Sequence, residues 1–255
     1  MTLQDILDQL AFGELSQISL GGGADGVIDV SNYKRILPHI NLGLMALYRR
    51  FPLKEGRLKV EIKPGRYTYP LNSDFAVNKR RSREAVRYLV DTEDDPFKDD
   101  ILKISTVQTV PSAADVLPMD FPLNDRENPW SIMTPSQLIL RLPKNLVDRF
   151  EVPPELETAE LQLVYQASHP LIVEDPDLGE LVPSEVEVEL PYSHLEALLL
   201  FVASRVHNPI GMTNEFHAGN SYAAKFEMAC KQLEFDNVGV DQGSQGYRLH
   251  RKGWA

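Results

Sequence analysis

A chain of 255 residues with 43% hydrophobic and 25% charged residues can bury one large core or two smaller ones, which excludes wholesale disorder and a fibrous repeat. Its formal net charge of −11 argues against a general nucleic-acid binder, whose phosphate contacts need Lys and Arg clustered on one accessible face. The single cysteine, Cys230, excludes a disulfide within the chain, and no apolar run approaches the roughly 20 residues that span a bilayer.

The N-terminal MTLQDILDQL lacks the basic start and apolar centre of a signal peptide, so synthesis in the cytoplasm is expected. Thr2 caps a short helix there, with Asp5 placed to complete a capping box and Leu3, Ile6, Leu7 and Leu10 on one face; Gly13 ends it. GGGADG at 21–26 is a turn, because it lacks the Gly-Lys-Ser/Thr of a nucleotide loop and no apolar strand feeds it. Asp29 or Ser31 opens a longer helix carrying Tyr33, Ile36, Leu37, Ile40, Leu44, Met45, Leu47 and Tyr48, in which Pro38 forces a kink or a late start.

From residue 57 the period changes from helical to alternating. RLKVEI at 57–62, the turn Pro64-Gly65 and the stretch 66–71 read as a β-hairpin. Residues 73–91 read as partly helical, with Ala85, Val86 and Leu89 inward. ILKISTV at 101–107 alternates as a strand, the Pro-rich 108–136 is a long ordered arm, and strands follow at 137–142 and 160–166. Residues 191–237 read as two helices joined by a polar loop, an αα-hairpin. Ser193 and Glu196 are spaced as a capping box for the first, on which Leu195, Leu198, Leu199, Val202 and Val206 recur while Leu200, Phe201 and Ala203 widen the apolar surface. In the second, Tyr222, Phe226, Ala229 and Leu233 line one face and Lys225, Glu227, Lys231 and Glu234 the other. The fold class is therefore α+β. A helical bundle is drawn from 1–56 and 191–237, a β-rich module from 57–190, and an extended tail from 238–255.

No catalytic constellation emerges. The six histidines are scattered, and the spacing of His207 and His217 fits no common zinc pattern. Asp94-Asp95 and Asp99-Asp100 lack the alternating spacing and glycine of a calcium loop. Cys230, inside a helix among alanines, reads as a buried and inert thiol. Neither metal nor cofactor is expected. Two basic stretches, KRRSR at 79–83 and YRLHRKGWA at the end, contrast with acidic DTEDDPFKDD at 91–100; they are solvated loops or patches that meet on neighbouring subunits. In the tail, Tyr247, Leu249 and Trp254 alternate with Arg248, His250, Arg251 and Lys252, and aromatics with arginine are the residues that anchor interfaces. The tail is either a disordered terminus or a segment that orders on a partner.

Five stretches, in order, resemble the head-to-tail adaptor (connector) proteins of tailed bacteriophages, above all the short-tailed ones. They are ILPHINLGLMALYRRFPL (36–53), GRYTYPL (65–71), DDILKISTV (99–107), FPLNDRENPWSIMTPSQLILRLP (121–143), and the helical pair with ALLLFVASRV and GNSYAAKFEMACKQLEFDN. The resemblance implies a structural virion protein at the head–tail junction rather than an enzyme. It implies a ring, typically of twelve copies, that binds the portal above and the tail nozzle, with tail fibres as a further contact, below. In such adaptors the C-terminal tail reaches along the portal, which makes Tyr247, Arg248, Leu249, Arg251 and Trp254 the candidate portal-binding residues. DNA passes through the ring as cargo, and a negative wall suits that passage. The excursion at 73–100 and the arm at 108–136 depart from the smaller adaptors. Other readings of the chain are a carbohydrate-binding or carbohydrate-active protein built on the β-rich module, and a different assembly protein.

Overall fold

Thr2 opens the chain's first helix, α1 (Leu3–Phe12), as its spacing predicts: its Oγ1 accepts from the Asp5 N–H at 3.2 Å and Asp5 Oδ2 accepts from the Thr2 N–H at 2.8 Å. In this computed structural model, the described residues are 1–16, 18, 27–79, 86–93, 95–110, 118–150, 160–173, 181–207 and 213–236, without the side chains of 149–150 and 213–218. The remaining free N–H groups at the start of α1 find carbonyls of a returning segment, Leu3 donating to Val186 at 2.9 Å and Gln4 to Pro183 at 3.1 Å. Gly13 ends α1. A Cβ on it would lie 2.8 Å from the Gln9 carbonyl oxygen, so only glycine closes the helix here without a shift.

The chain divides into two compact units, Met1–Leu53 with His169–Ala255, and Lys54–Ser168. The sequence reading placed the boundaries at 57 and 190. The returning segment from His169 instead belongs with the helices, because its backbone is bound to them. Asn41 accepts from the Ile172 N–H at 3.0 Å and donates to the Ile172 carbonyl at 2.8 Å, the pairing a strand would otherwise supply. Tyr48 Oη donates to the Glu189 carbonyl, and the Glu189 N–H donates to His169 Nε2 at 3.1 Å. His169 Nδ1 therefore carries the proton and donates to the Pro170 carbonyl at 2.5 Å.

In the helical unit, a 3₁₀ turn (Val30–Asn32) leads into α2 (Tyr33–Arg50), so the regular helix starts late and then runs through Pro38. Tyr33, Ile36, Leu37, Ile40, Leu44, Leu47 and Tyr48 form its buried stripe. Another 3₁₀ turn (Tyr192–His194) enters the fourth helix in chain order, Leu195–Val206. Here the expected capping box is absent: Ser193 is taken into the 3₁₀ turn and its Oγ lies 3.1 Å from His194 Nδ1. Leu195, Ala197, Leu198, Leu199, Leu200, Val202 and Ala203 of this helix are all buried, and α1, α2 and the last helix, Thr213–Phe235, each pack against it. At Gly43 the approach is close enough that a Cβ would lie 2.6 Å from Leu198 Cδ1.

The second unit holds two antiparallel sheets whose inner faces share one core. Its strands are β1 (Glu55–Glu61), β2 (Thr68–Pro70), β3 (Leu89–Val90), β4 (Ile101–Thr109), β5 (Met133–Ser136), β6 (Ile139–Arg141) and β7 (Glu160–Ala167). The sheet orders are β3-β1-β7-β4 and β2-β6-β5. The short helix α3 (Lys144–Phe150), which precedes β7, adds Leu146 and Val147 to the core. With α4 for Leu195–Val206 and α5 for Thr213–Phe235, the described chain is α+β.

Three sequence expectations change here. The stretches 57–62 and 66–71 are not a hairpin, because Leu89–Val90 occupies the free edge of β1 (Lys59↔Val90, Val60↔Leu89) and β2 crosses to pair with β6. Tyr69 Oη bridges the corner, accepting from the Lys63 N–H at 2.8 Å. Residues 73–91 show no α-helix where described, only a 3₁₀ turn (Ser73–Phe75) and β3, and Val86 is exposed; Ala85 lies outside the described residues. Residues 137–142 are not one strand: Gln137-Leu138 is the turn between β5 and β6. β4 and β7 are strands as expected. In β4, irregularities between Ile101 and Lys103 and between Ile104 and Thr106 put Ile101, Ile104 and Val107 inward, so burial recurs every third residue, whereas β7 alternates strictly.

Candidate functional site

The tail residues singled out from sequence, Tyr247, Arg248, Leu249, Arg251 and Trp254, lie outside the described residues, as does the whole 238–255 segment. The site is therefore built from the groups that are described.

Charged and nucleophilic side chains are mostly engaged by their neighbours. Among the described residues no group of three or more His, Cys, Asp or Glu is placed to hold a metal ion. Asp99, in a left-handed backbone (φ 57), accepts from the Ser73 N–H and from Ser73 Oγ, each at 2.5 Å. Asp100 accepts from Tyr165 Oη at 2.9 Å, and burial followed by the Asp100 charge holds that phenol well above the usual tyrosine range. Asp95 pairs with Lys98 at 3.6 Å on an exposed surface. These acids fix turns and a ring rather than converge on one point. Cys230 is fully buried, and burial, opposed by Arg50, pushes its thiol up to about 11, which keeps it protonated and poorly reactive at neutral pH. His207 stacks on Tyr222, with ring centroids 5.1 Å apart, and its Nε2 lies 2.9 Å from the Glu14 carbonyl oxygen. The His217 side chain is outside the described set.

The helical unit's surface is more informative. α5 uses one face to pack: Cys230 is buried and Tyr222, Phe226, Ala229 and Leu233 are half-buried, with Phe226 edge-on to Phe201 at 5.2 Å. Its opposite face carries Ala224, Met228 and Phe235, spaced to fall on one stripe, and Met228 is 70% and Phe235 82% exposed. Between the two faces, Arg50 of α2 forks to Glu234 at 2.6 Å and Glu227 at 2.8 Å, and its hydrogen bond lowers the Glu234 carboxyl's pKa. α5 thus has one covered apolar face and, on its other side beside Glu227, Lys231 and Glu234, a narrow exposed apolar stripe.

Among the described residues of this unit lie two open grooves. One, of about 600 Å³, runs along α2 and is walled by Leu37, Pro38, Leu42, Met45, Leu171 and Val173. The other, of about 670 Å³, lies where α1 ends against α4 and α5, and mixes Glu14 and Glu196 with Leu200, Tyr222, Lys225 and Met228. Glu14 Oε2 is shielded from solvent there without a hydrogen-bond partner. Sequence reasoning missed this groove. Glu196 was assigned to a cap, and no local pattern connects it with Glu14, which helix packing brings to the same wall.

No protein-family model matches the chain, and no curated protein matches it.

Proposed function

We propose that the chain is a head-to-tail adaptor of a short-tailed bacteriophage: a structural virion protein, not an enzyme, that works without cofactor. It is made in the host cytoplasm and takes its place at the head–tail junction. Copies assemble side by side as a ring, bind the portal above and the tail nozzle and fibres below, and continue the channel that DNA passes through as cargo. In this reading α1, α2 and the αα-hairpin α4–α5 are one helical bundle, the antiparallel unit is an inserted module, and residues 238–255 are the portal-binding tail.

The observation that carries the reading is α5. Its packed face completes the subunit, while Ala224, Met228 and Phe235 leave a second apolar stripe that a neighbouring molecule would cover. A stripe on one helix and an apolar groove elsewhere on the same unit, along α2, suit head-to-tail contacts, which form a ring where the rotation between copies closes. The sequential resemblance of five stretches supplies the particular kind of ring.

The test is native mass spectrometry or mass photometry of the purified protein alone and with DNA-filled heads of a short-tailed phage. A fixed number of copies retained on the heads supports the proposal. A protein that ignores portal and heads, whatever its own oligomeric state, refutes it.

A further inference from the structure

We infer that the groove between the end of α1, α4 and α5 holds the chain's own C-terminal segment, residues 247–254, in the unassembled protein. The docking does not depend on the adaptor reading; only the identity of the partner that displaces the segment does.

The groove's chemistry selects its guest. Its lining carries two carboxylates, Glu14 and Glu196, against one cation, Lys225, whose Nζ is 5.3 Å above the Tyr222 ring. Glu14 Oε2, hidden from water and without a partner, is a buried acceptor that a cationic donor would satisfy. Gly13 also lines the groove and places the C-terminal end of α1 there, where the helix dipole favours positive charge. Leu200, Tyr222 and Met228 add an apolar wall, so the guest must be both cationic and apolar.

A segment of that description follows α5 in the chain. Residues 247–254 interleave Tyr247, Leu249 and Trp254 with Arg248, Arg251 and Lys252, whereas KRRSR at 79–83 has no aromatic residue. The segment also reaches. α5 forms one side of the groove and ends at Phe235, and Tyr222 lies about 20 Å back along the helix axis at about 1.5 Å per residue. Residues 237–246 span up to about 33 Å when extended, enough to return to Tyr222. A tail docked on its own subunit would be kept from partners until a stronger site competes for it.

Zero-length carbodiimide coupling of the full-length protein, which joins an amine only to a carboxylate it touches, is the direct test. Lys252 is expected to couple to Glu14 or Glu196, and an equal mixture of isotopically light and heavy protein is expected to give light–light and heavy–heavy products alone. Arg248→Glu with Arg251→Glu should lower the yield of that product at least tenfold. In a Trp130→Phe background, Trp254 emission should shift to the red when Glu14→Lys and Glu196→Lys are introduced together, with the far-ultraviolet circular dichroism unchanged. Coupling of Lys252 only to other acids, or indifference of both readouts to charge reversal on the tail, overturns the inference. Light–heavy products would overturn the own-subunit assignment in favour of a second copy. Failure of the uncoupled protein to bind DNA-filled heads, with Lys252 still coupling to Glu14 or Glu196, would sink the adaptor reading alone.

Discussion

Alanine at Gly43 should destabilise the helical unit, against the ordinary preference of helices for alanine. The position is buried on α2 where α4 crosses it, and a Cβ there would lie 2.6 Å from Leu198 Cδ1 and 3.0 Å from Phe201 Cδ1. Alanine gains about 1 kcal/mol over glycine in a helix interior. A methyl forced into a packed core costs about 1–3 kcal/mol. Leu198 is fully buried, so its own methyl has no solvent to retreat into and the steric cost wins, leaving a net loss of about 1 kcal/mol. Leu198→Ala alone should cost about 2–5 kcal/mol through the cavity it leaves. Combined with Gly43→Ala it should cost less, because the new methyl occupies part of that cavity, and the favourable coupling should fall at about 0.5–3 kcal/mol. Urea unfolding followed by far-ultraviolet circular dichroism, which reports chiefly the helices, measures all four proteins. A midpoint raised by Gly43→Ala, or costs that simply add, would show that α2 and α4 are not in the close contact argued here.

Cys230 should resist thiol reagents in the native protein and react fully on unfolding, since its thiol is fully buried and pushed up to about 11; rapid native labelling at pH 8 would contradict that. His194 should make the helical unit acid-sensitive. It is buried edge-on to Phe51 at 4.8 Å, and burial lowers its pKa below 6.5, so the unfolded chain binds a proton that the folded one refuses. Stability is then full above about pH 6.5 and falls below it. His194→Phe should flatten that slope, and an unchanged slope would assign the effect elsewhere, His39 being the next histidine whose pKa burial lowers. In the β unit, Tyr165→Phe removes the bond to Asp100 and should cost about 1 kcal/mol, discounted for the partial exposure of the acid; equal unfolding midpoints would mean that water already satisfies Asp100.

Four helices, α1, α2, α4 and α5, were legible because their signals are local, whereas the single short turn pattern of α3 was not read. Thr2 with Asp5 fixes one end of α1 and Gly13 the other, and the buried stripe of α2 can be read from residues three and four apart. Strand existence was legible for the same reason in β7, whose eight residues alternate without interruption. Strand partnership was not, since it depends on which other segment reaches the edge first. β1 and β2 are close in sequence, yet Leu89 and Val90 take the edge that a hairpin would have used. Ser193 was misread for a related reason: the S-x-x-E spacing is necessary for a capping box, but a preceding 3₁₀ turn, fixed by the His194 N–H donating to the Pro191 carbonyl at 2.9 Å, removes the geometry that uses it.

The candidate site divides along the same line. Aromatic and basic residues alternate within eight positions, from Tyr247 to Trp254, which left the tail as either a disordered terminus or a segment that orders on a partner. The groove was invisible, since Glu14 and Glu196 come to line it together only after α1 packs on α4. The second face of α5 lay between these extremes. Met228 and Phe235 stand on the side opposite Phe226 and Leu233, and periodicity shows that the helix has apolar residues on both sides; only burial shows which side its own subunit covers. Phe226 is half-buried while Leu199 and Val202 of α4 are buried, so the boundary between core and outer surface runs along α5 itself. A helix placed at that boundary stabilises its subunit through one face and remains available to a neighbour through the other. Packing of Phe226 on Phe201 sets which face is covered, and the Arg50 fork to Glu227 and Glu234 marks the border between the two.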